Sequence, residues 1–212
     1  MAARVICMSR AISAGADEVA ALVGQQLGFR CVDEEIIARA AERQNLDPEE
    51  VANAERRKSF LARLFEDVAL GAGMAGYGSG YVTDPGVMPP RSDRLRSLIR
   101  EAIVETAEQG NVVIVAHAAS YALGGRNDVL RVLVTGSRAV RAKRLVASGS
   151  HTPGAAEEEI RQSDAARADY IKRFYEVDRE SPEHYDISIS TDALTTAQAA
   201  DAIVSFARSL RN

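Results

Sequence analysis

Three groups of residues in this 212-residue chain have the types and spacing needed to handle a phosphate. The first is the stretch Ser9-Arg10-Ala11-Ile12-Ser13-Ala14-Gly15-Ala16-Asp17, which lies between the apolar run Val5-Ile6-Cys7-Met8 and a segment of helical periodicity. In a strand–loop–helix unit, main-chain N–H groups and the positive end of the helix converge on such a loop and favour an anion. The stretch does not satisfy the phosphate-loop pattern GxxxxGK[ST]. Only its second glycine, Gly15, is in place; Ala16 stands at the lysine position and Asp17 at the magnesium-binding hydroxyl position. Arg10 is then either the substitute cation or a solvated loop residue, and Asp17 is either a metal ligand or an acid favoured by the helix dipole.

The second group is Asp164 and Arg167, whose three-residue spacing puts both on one helix face, where they either reach a common ligand or form a surface ion pair. The third is Arg141 and Arg144, at the same spacing, either a phosphate-gripping pair or a solvated basic face. Tyr170, Lys172 and Arg173 extend this region. Cys7 and Cys31 lack the spacing of a zinc site, and their apolar neighbours predict two buried free thiols.

The elements that must position these groups alternate. Apolar runs predict strands at Val5–Met8, Phe29–Val32, Val112–Ala116, Asp128–Thr135 and Asp186–Ser190. Helical periodicity starts at Asp17 and stops at Gly28, a C-cap glycine, and a second long helix over Ser92–Gln109 stops at Gly110. Further helices are expected from Asp33 to Glu42 and from Val51 to Leu70. Between about 71 and 91 the sequence turns rich in glycine and proline, which predicts a mobile loop carrying Tyr77 and Tyr81. Strands alternating with helices imply an α/β fold, a five-stranded parallel sheet with helices on both faces in three layers, with ligands at the strand C-terminal ends.

Composition narrows the function classes. Apolar residues make up 46% and charged residues 26%, ordinary values for a soluble globular chain, and 212 residues suffice for one domain spanning 1–212. A net charge of −4 speaks against a nucleic-acid polymer or an anionic membrane as partner. No apolar run reaches the length of a membrane span, and the N-terminus leads directly into a strand, so a cytoplasmic location is expected.

On these segments the chain resembles the cytidylate-kinase-like family of P-loop nucleoside monophosphate kinases. The resemblance is carried by Ser9-Arg10 after the first strand, Val32-Asp33-Glu34-Glu35-Ile36-Ile37 after the second, and Val113-Ile114-Val115 after the long helix. It continues through Leu130-Arg131-Val132, Arg138 to Arg144, Asp164 to Tyr170 and Tyr185 to Thr191, almost the whole chain.

The resemblance implies transfer of a phosphoryl group from ATP, with Mg2+, to a CMP-like nucleoside monophosphate, and leaves room for a homodimer. Ser9, Arg10, Ser13 and Gly15 would then meet phosphate, and Asp17 would be the metal ligand. Arg141 and Arg144 would belong to a basic lid over about 137–175 that stabilises the transferring group. Asp164 and Arg167 would contact the acceptor's ribose and phosphate, and Asp33 would match the family's acidic residue after strand two, or else cap a helix. The family's Gly-Arg after strand three is here Ala116-His117, so His117 takes the acceptor-phosphate position. Two further readings stay open: a nucleotide-binding or regulatory module that no longer catalyses, and a kinase for another small phosphoacceptor.

Overall fold

The computed structural model describes residues 3–33, 91–116, 119–149 and 151–210. Five strands, β1 (Val5–Arg10), β2 (Arg30–Asp33), β3 (Val112–Val115), β4 (Val129–Thr135) and β5 (Ile187–Ser190), form one parallel sheet in the order β2-β3-β1-β4-β5. The helices are α1 (Ala16–Leu27), α2 (Arg91–Gln109), the single turn α3 (Ala119–Ala122), α4 (Arg138–Ala147), α5 (Pro153–Tyr175) and α6 (Thr196–Ser209).

Strand alternation divides the core into two layers. On β1, Ile6 and Met8 point to one face, where they join Val19, Ala20 and Val23 of α1 and Ala200, Ile203 and Val204 of α6. Val5 and Cys7 point to the other, against Ala102, Ile103 and Ala107 of α2 and Ala119 and Leu123. Because β1 is covered on both faces, it reads as an unbroken apolar run. A third cluster, Ala142, Ala156 and Ile160, joins α4 to α5, and Ile12 of the β1–α1 loop packs on it.

Local signals fix the ends of these elements. Gly28 closes α1 at φ 70°, and Gly110 turns the chain out of α2 at φ 67°. Ser137 caps α4 through its hydroxyl and the N–H of Val140, Thr152 caps α5 ahead of Pro153, and Thr195 and Gln198 form a capping box on α6.

The sequence-predicted sheet is present, with strand ends shifted by up to two residues, and so are the helices expected from Asp17 and over Ser92–Gln109. Phe29 lies in the turn before β2, where its N–H donates to Gly24 O. The expectation for Cys31 is corrected: Cys7 is buried, but Cys31 is exposed. Among the described residues β2 is the edge strand on its side, and only Val32 within it is buried, although the Cys31 thiol still donates to Ala20 O at 3.2 Å. The helices expected between Glu34 and Leu70, the glycine-rich segment up to residue 90 with Tyr77 and Tyr81, and His117 lie outside the described residues. Among the described residues, no helix is long and apolar enough to cross a membrane.

Candidate functional site

The candidate site residues collect at the C-terminal ends of the strands. β1 delivers Ser9 and Arg10 there, β2 delivers Asp33, and the segments after β4 and β5 contribute Gly136 and Thr191. Asp33 stands in register with Val115 on β3, which is in turn level with Met8 on β1, so it sits roughly two strand spacings, about 10 Å, from Met8 and further from the loop that follows Arg10.

That loop turns tightly. Ala11 donates its N–H to Val134 O on β4, Ala14 donates back to Ala11 O, and Ser13 has φ 57°. Gly15 is the N-cap of α1 at φ 78°, left-handed backbone that glycine adopts without the steric cost of a Cβ. The first turn of a helix has N–H groups without intrahelical acceptors, and α1 directs them at the loop mouth.

Across the mouth, Arg10 Nη1 donates to Asp17 Oδ1 at 2.5 Å. The two residues occupy the positions of the pattern's first glycine and of its final hydroxyl residue, so side chains foreign to the motif here meet as an ion pair. Asp17 is 69% exposed and the Arg10 side chain 30%, so water reaches both groups.

Below the mouth the loop is held by groups that the motif does not name. Thr191, buried just past β5, has its hydroxyl 2.9 Å from Ala14 O and 3.2 Å from Thr135 O, the two acceptors available to its one proton. Arg144 of α4 donates to the Thr191 hydroxyl at 2.8 Å, to Thr191 O at 2.6 Å and to Ser13 O at 3.4 Å.

Asp164 and Arg167 share a face of α5 but serve different partners. The Asp164 carboxylate receives a two-pronged grip from Arg141, both bonds 2.9 Å, and a third bond from Arg138 at 3.2 Å. Burial pushes its carboxyl up, but the bonds and charges of Arg141 and Arg138 outweigh this and hold it below the usual aspartate range. Arg141 also donates to Gly136 O at 2.9 Å and is itself buried.

Arg167, also buried, faces β1. It donates to Ser9 Oγ at 2.8 Å and to Arg10 O at 3.0 Å, and binds both oxygens of Glu180 at 2.8 and 2.5 Å. Tyr185 donates its hydroxyl to Glu180 and lies 3.3 Å from Arg167 Nη2. Burial raises the Glu180 carboxyl, yet the Arg167 bonds and charge prevail and leave it below the ordinary glutamate value. The phenol of Tyr185 is pushed up by burial, and that of Tyr121 by burial and the nearby Tyr185. Tyr121 packs edge-on against Tyr185 and His184, and its hydroxyl is 3.2 Å from His184 Nδ1.

The structure therefore brings Ser9, Arg10, Ser13, Gly15, Asp17, Arg144 and Arg167 around one loop. It ties Arg141 and Asp164 to each other beside that loop and leaves Asp33 at a distance. Glu180 is not singled out from the sequence, and Tyr185 and Thr191 appear there only as the ends of a resembling segment, without a site role. For Thr191 a signal existed, since it is a hydroxyl residue just past the end of a strand in a parallel sheet, where ligand-facing segments lie.

A parallel sheet ordered β2-β3-β1-β4-β5, with a loop and a helix N-terminus after its central strand, is a P-loop kinase fold. Solved structures share it. An uncharacterized protein from Eubacterium ventriosum superposes with a TM-score of 0.70 at 17% identity, over 98% of this chain and 99% of that one. Shikimate kinase from Acinetobacter baumannii, in complex with shikimate, gives 0.55 at 12% identity over 98% and 94%. A gluconokinase from Sinorhizobium meliloti gives 0.54 at 13% identity over 98% and 95%. At these identities the likeness is one of fold. Comparison with curated protein sequences gives no match. Residues 5–193 match the cytidylate kinase-like family, and the chain belongs to it.

Proposed function

We propose that this protein transfers the γ-phosphoryl group of ATP to a nucleoside monophosphate, with CMP the first acceptor to test. The observation that carries this reading is the β1–α1 loop, which keeps its left-handed Gly15 at the N-terminus of α1 and has a cation, Arg10, at its mouth. In such a transfer the bond from the γ-phosphorus to the ADP oxygen breaks and one to an acceptor phosphate oxygen forms. The protein's part is to position both and to neutralise charge.

Arg10 is the group we assign to the transferring phosphates. Asp17 meets it now, and a triphosphate entering the loop would compete for the same guanidinium. Once released, the Asp17 carboxylate is an exposed oxygen donor of the kind Mg2+ takes, so the residues present fit that ion, whose role is to offset phosphate charge. Ser9, Ser13 and Gly15 would line the phosphate side. His117, with Asp33 further off, would serve the acceptor side, where Arg167 and Asp164, each already held in its own ion pair, would support the site from behind, and Arg141 would hold the basic region in place. Likeness to shikimate kinase and gluconokinase keeps other small phosphoacceptors as controls. Free nucleotides as substrates also fit a cytoplasmic protein.

Calorimetric titration with ATP and with CMP, each with and without Mg2+, alongside an assay of ADP formation, tests the proposal. CMP-dependent ADP release supports it. ATP binding without turnover on any acceptor, or no ATP binding, overturns it.

A further inference from the structure

Arg144 was expected from its sequence position to face the transferring group as a lid arginine. Its guanidinium instead turns toward the sheet and meets Ser13 O, Thr191 O and the Thr191 hydroxyl. Thr191 in turn meets Ala14 O. Two consecutive loop carbonyls, those of Ser13 and Ala14, are thus held from the side away from solvent.

A trans peptide unit is planar, and its C=O and N–H point in opposite directions. The carbonyl of Ala14 shares its plane with the N–H of Gly15. With Ala14 O anchored on buried Thr191, the Gly15 N–H is aimed the opposite way, toward the loop mouth. The carbonyl of Ser13 shares its plane with the N–H of Ala14, which closes the turn onto Ala11 O. One anchored carbonyl therefore stabilises the turn, and the other presents a donor.

We infer that Thr191 and Arg144 are positioning residues that preorganise the phosphate loop, fixing the Gly15 N–H as a donor to a nucleotide phosphate. The inference rests on the proposed function for the identity of the ligand, but the clamp itself is a property of the free protein. Arg144 completes it by donating to the Thr191 hydroxyl, which leaves the hydroxyl proton for a carbonyl. A preorganised donor matters because it spares the phosphate the cost of ordering the loop.

Thr191→Val removes the hydroxyl at nearly constant shape, and Thr191→Ser retains it. Loss of one hydrogen bond to a charged ligand weakens binding by about tenfold to a hundredfold. The expected result is an ATP dissociation constant raised by about that factor in T191V, wild-type affinity in T191S, and unchanged CMP affinity in both. R144M should follow T191V, and the double variant should add little to either single one. Equal ATP affinity in wild type and T191V, with T191V folded, overturns the inference.

Amide hydrogen exchange of residues 11–15, measured without nucleotide, separates this from the activity reading. Faster exchange in T191V but not in T191S supports the clamp even if the wild type proves to be no kinase. Exchange unchanged in T191V overturns it even if ATP binds.

Discussion

Two arginine–carboxylate pairs flank the end of β1, and they differ in nearly every respect. Arg10 and Asp17 meet through a single bond in reach of water, while Arg167 and Glu180 meet through two bonds in a buried setting completed by Ser9, Arg10 O and Tyr185. An exposed pair gives little to stability and exchanges partners at little cost. In the second pair Arg167 is buried and Glu180 half-buried, so the carboxylate cannot leave without stranding the guanidinium. The contrast divides the site into a part that can exchange partners and a part that holds the strand end still.

Breaking the buried pair tests this division most severely. Glu180→Ala leaves the Arg167 guanidinium unpaired beneath β1 and should cost about 3 kcal/mol or more in urea unfolding, with a clear drop in Tm. A loss under about 1 kcal/mol, the range of exposed pairs, would erase the contrast.

Acid should sharpen it further. The carboxyls of Glu180 and Asp164 are both held below their ordinary values in the fold. The stability they contribute is present above the unfolded-state values of about 4, and is lost as pH falls through the lower folded ones. Unfolding free energy measured from pH 6 down to pH 2 should fall below about pH 4, and less steeply in E180Q, which has lost one of the two groups. Identical slopes in wild type and E180Q would separate Glu180 from the acid response.

The smallest expected effect on stability belongs to the exposed pair. Asp17→Asn should change unfolding free energy by no more than about 1 kcal/mol, yet free Arg10 and tighten Mg2+-independent ATP binding several-fold. Arg10→Ala should weaken ATP binding with a similarly small stability change. Calorimetry and urea unfolding on the same samples check both. A stability loss in D17N that matches E180A would mean that the two pairs are alike after all.

Much of the scaffold was legible because its signals are local. The apolar run at Val5 and the glycines at 15, 28 and 110 act within a few residues. What could not be read was which way each polar side chain turns. Residues three apart on a helix are separated by about 60° around its axis, enough for neighbours on opposite sides to claim them. Asp164 accordingly pairs with Arg141 on α4, while Arg167 turns to β1 and Glu180. The same offset sends Arg141 to Asp164 and Arg144 to Thr191. The bond between Thr191 and Ala14 joins positions 177 apart, a distance over which no periodicity operates. Cys31 misled for a related reason, since its apolar neighbours say nothing about its strand lying at the edge of the sheet.

The bonds that shape the β1–α1 loop from below end on the main-chain oxygens of Arg10, Ser13 and Ala14. Every residue type supplies such an oxygen. The support structure therefore does not read the side chain at position 10, which can drift while the curve of the backbone persists, whereas Ser13 at φ 57° and buried Ala14 are limited by their own backbone and packing. A loop built this way can lose its written signature, first glycine, lysine and hydroxyl, and still be drawn in the same line.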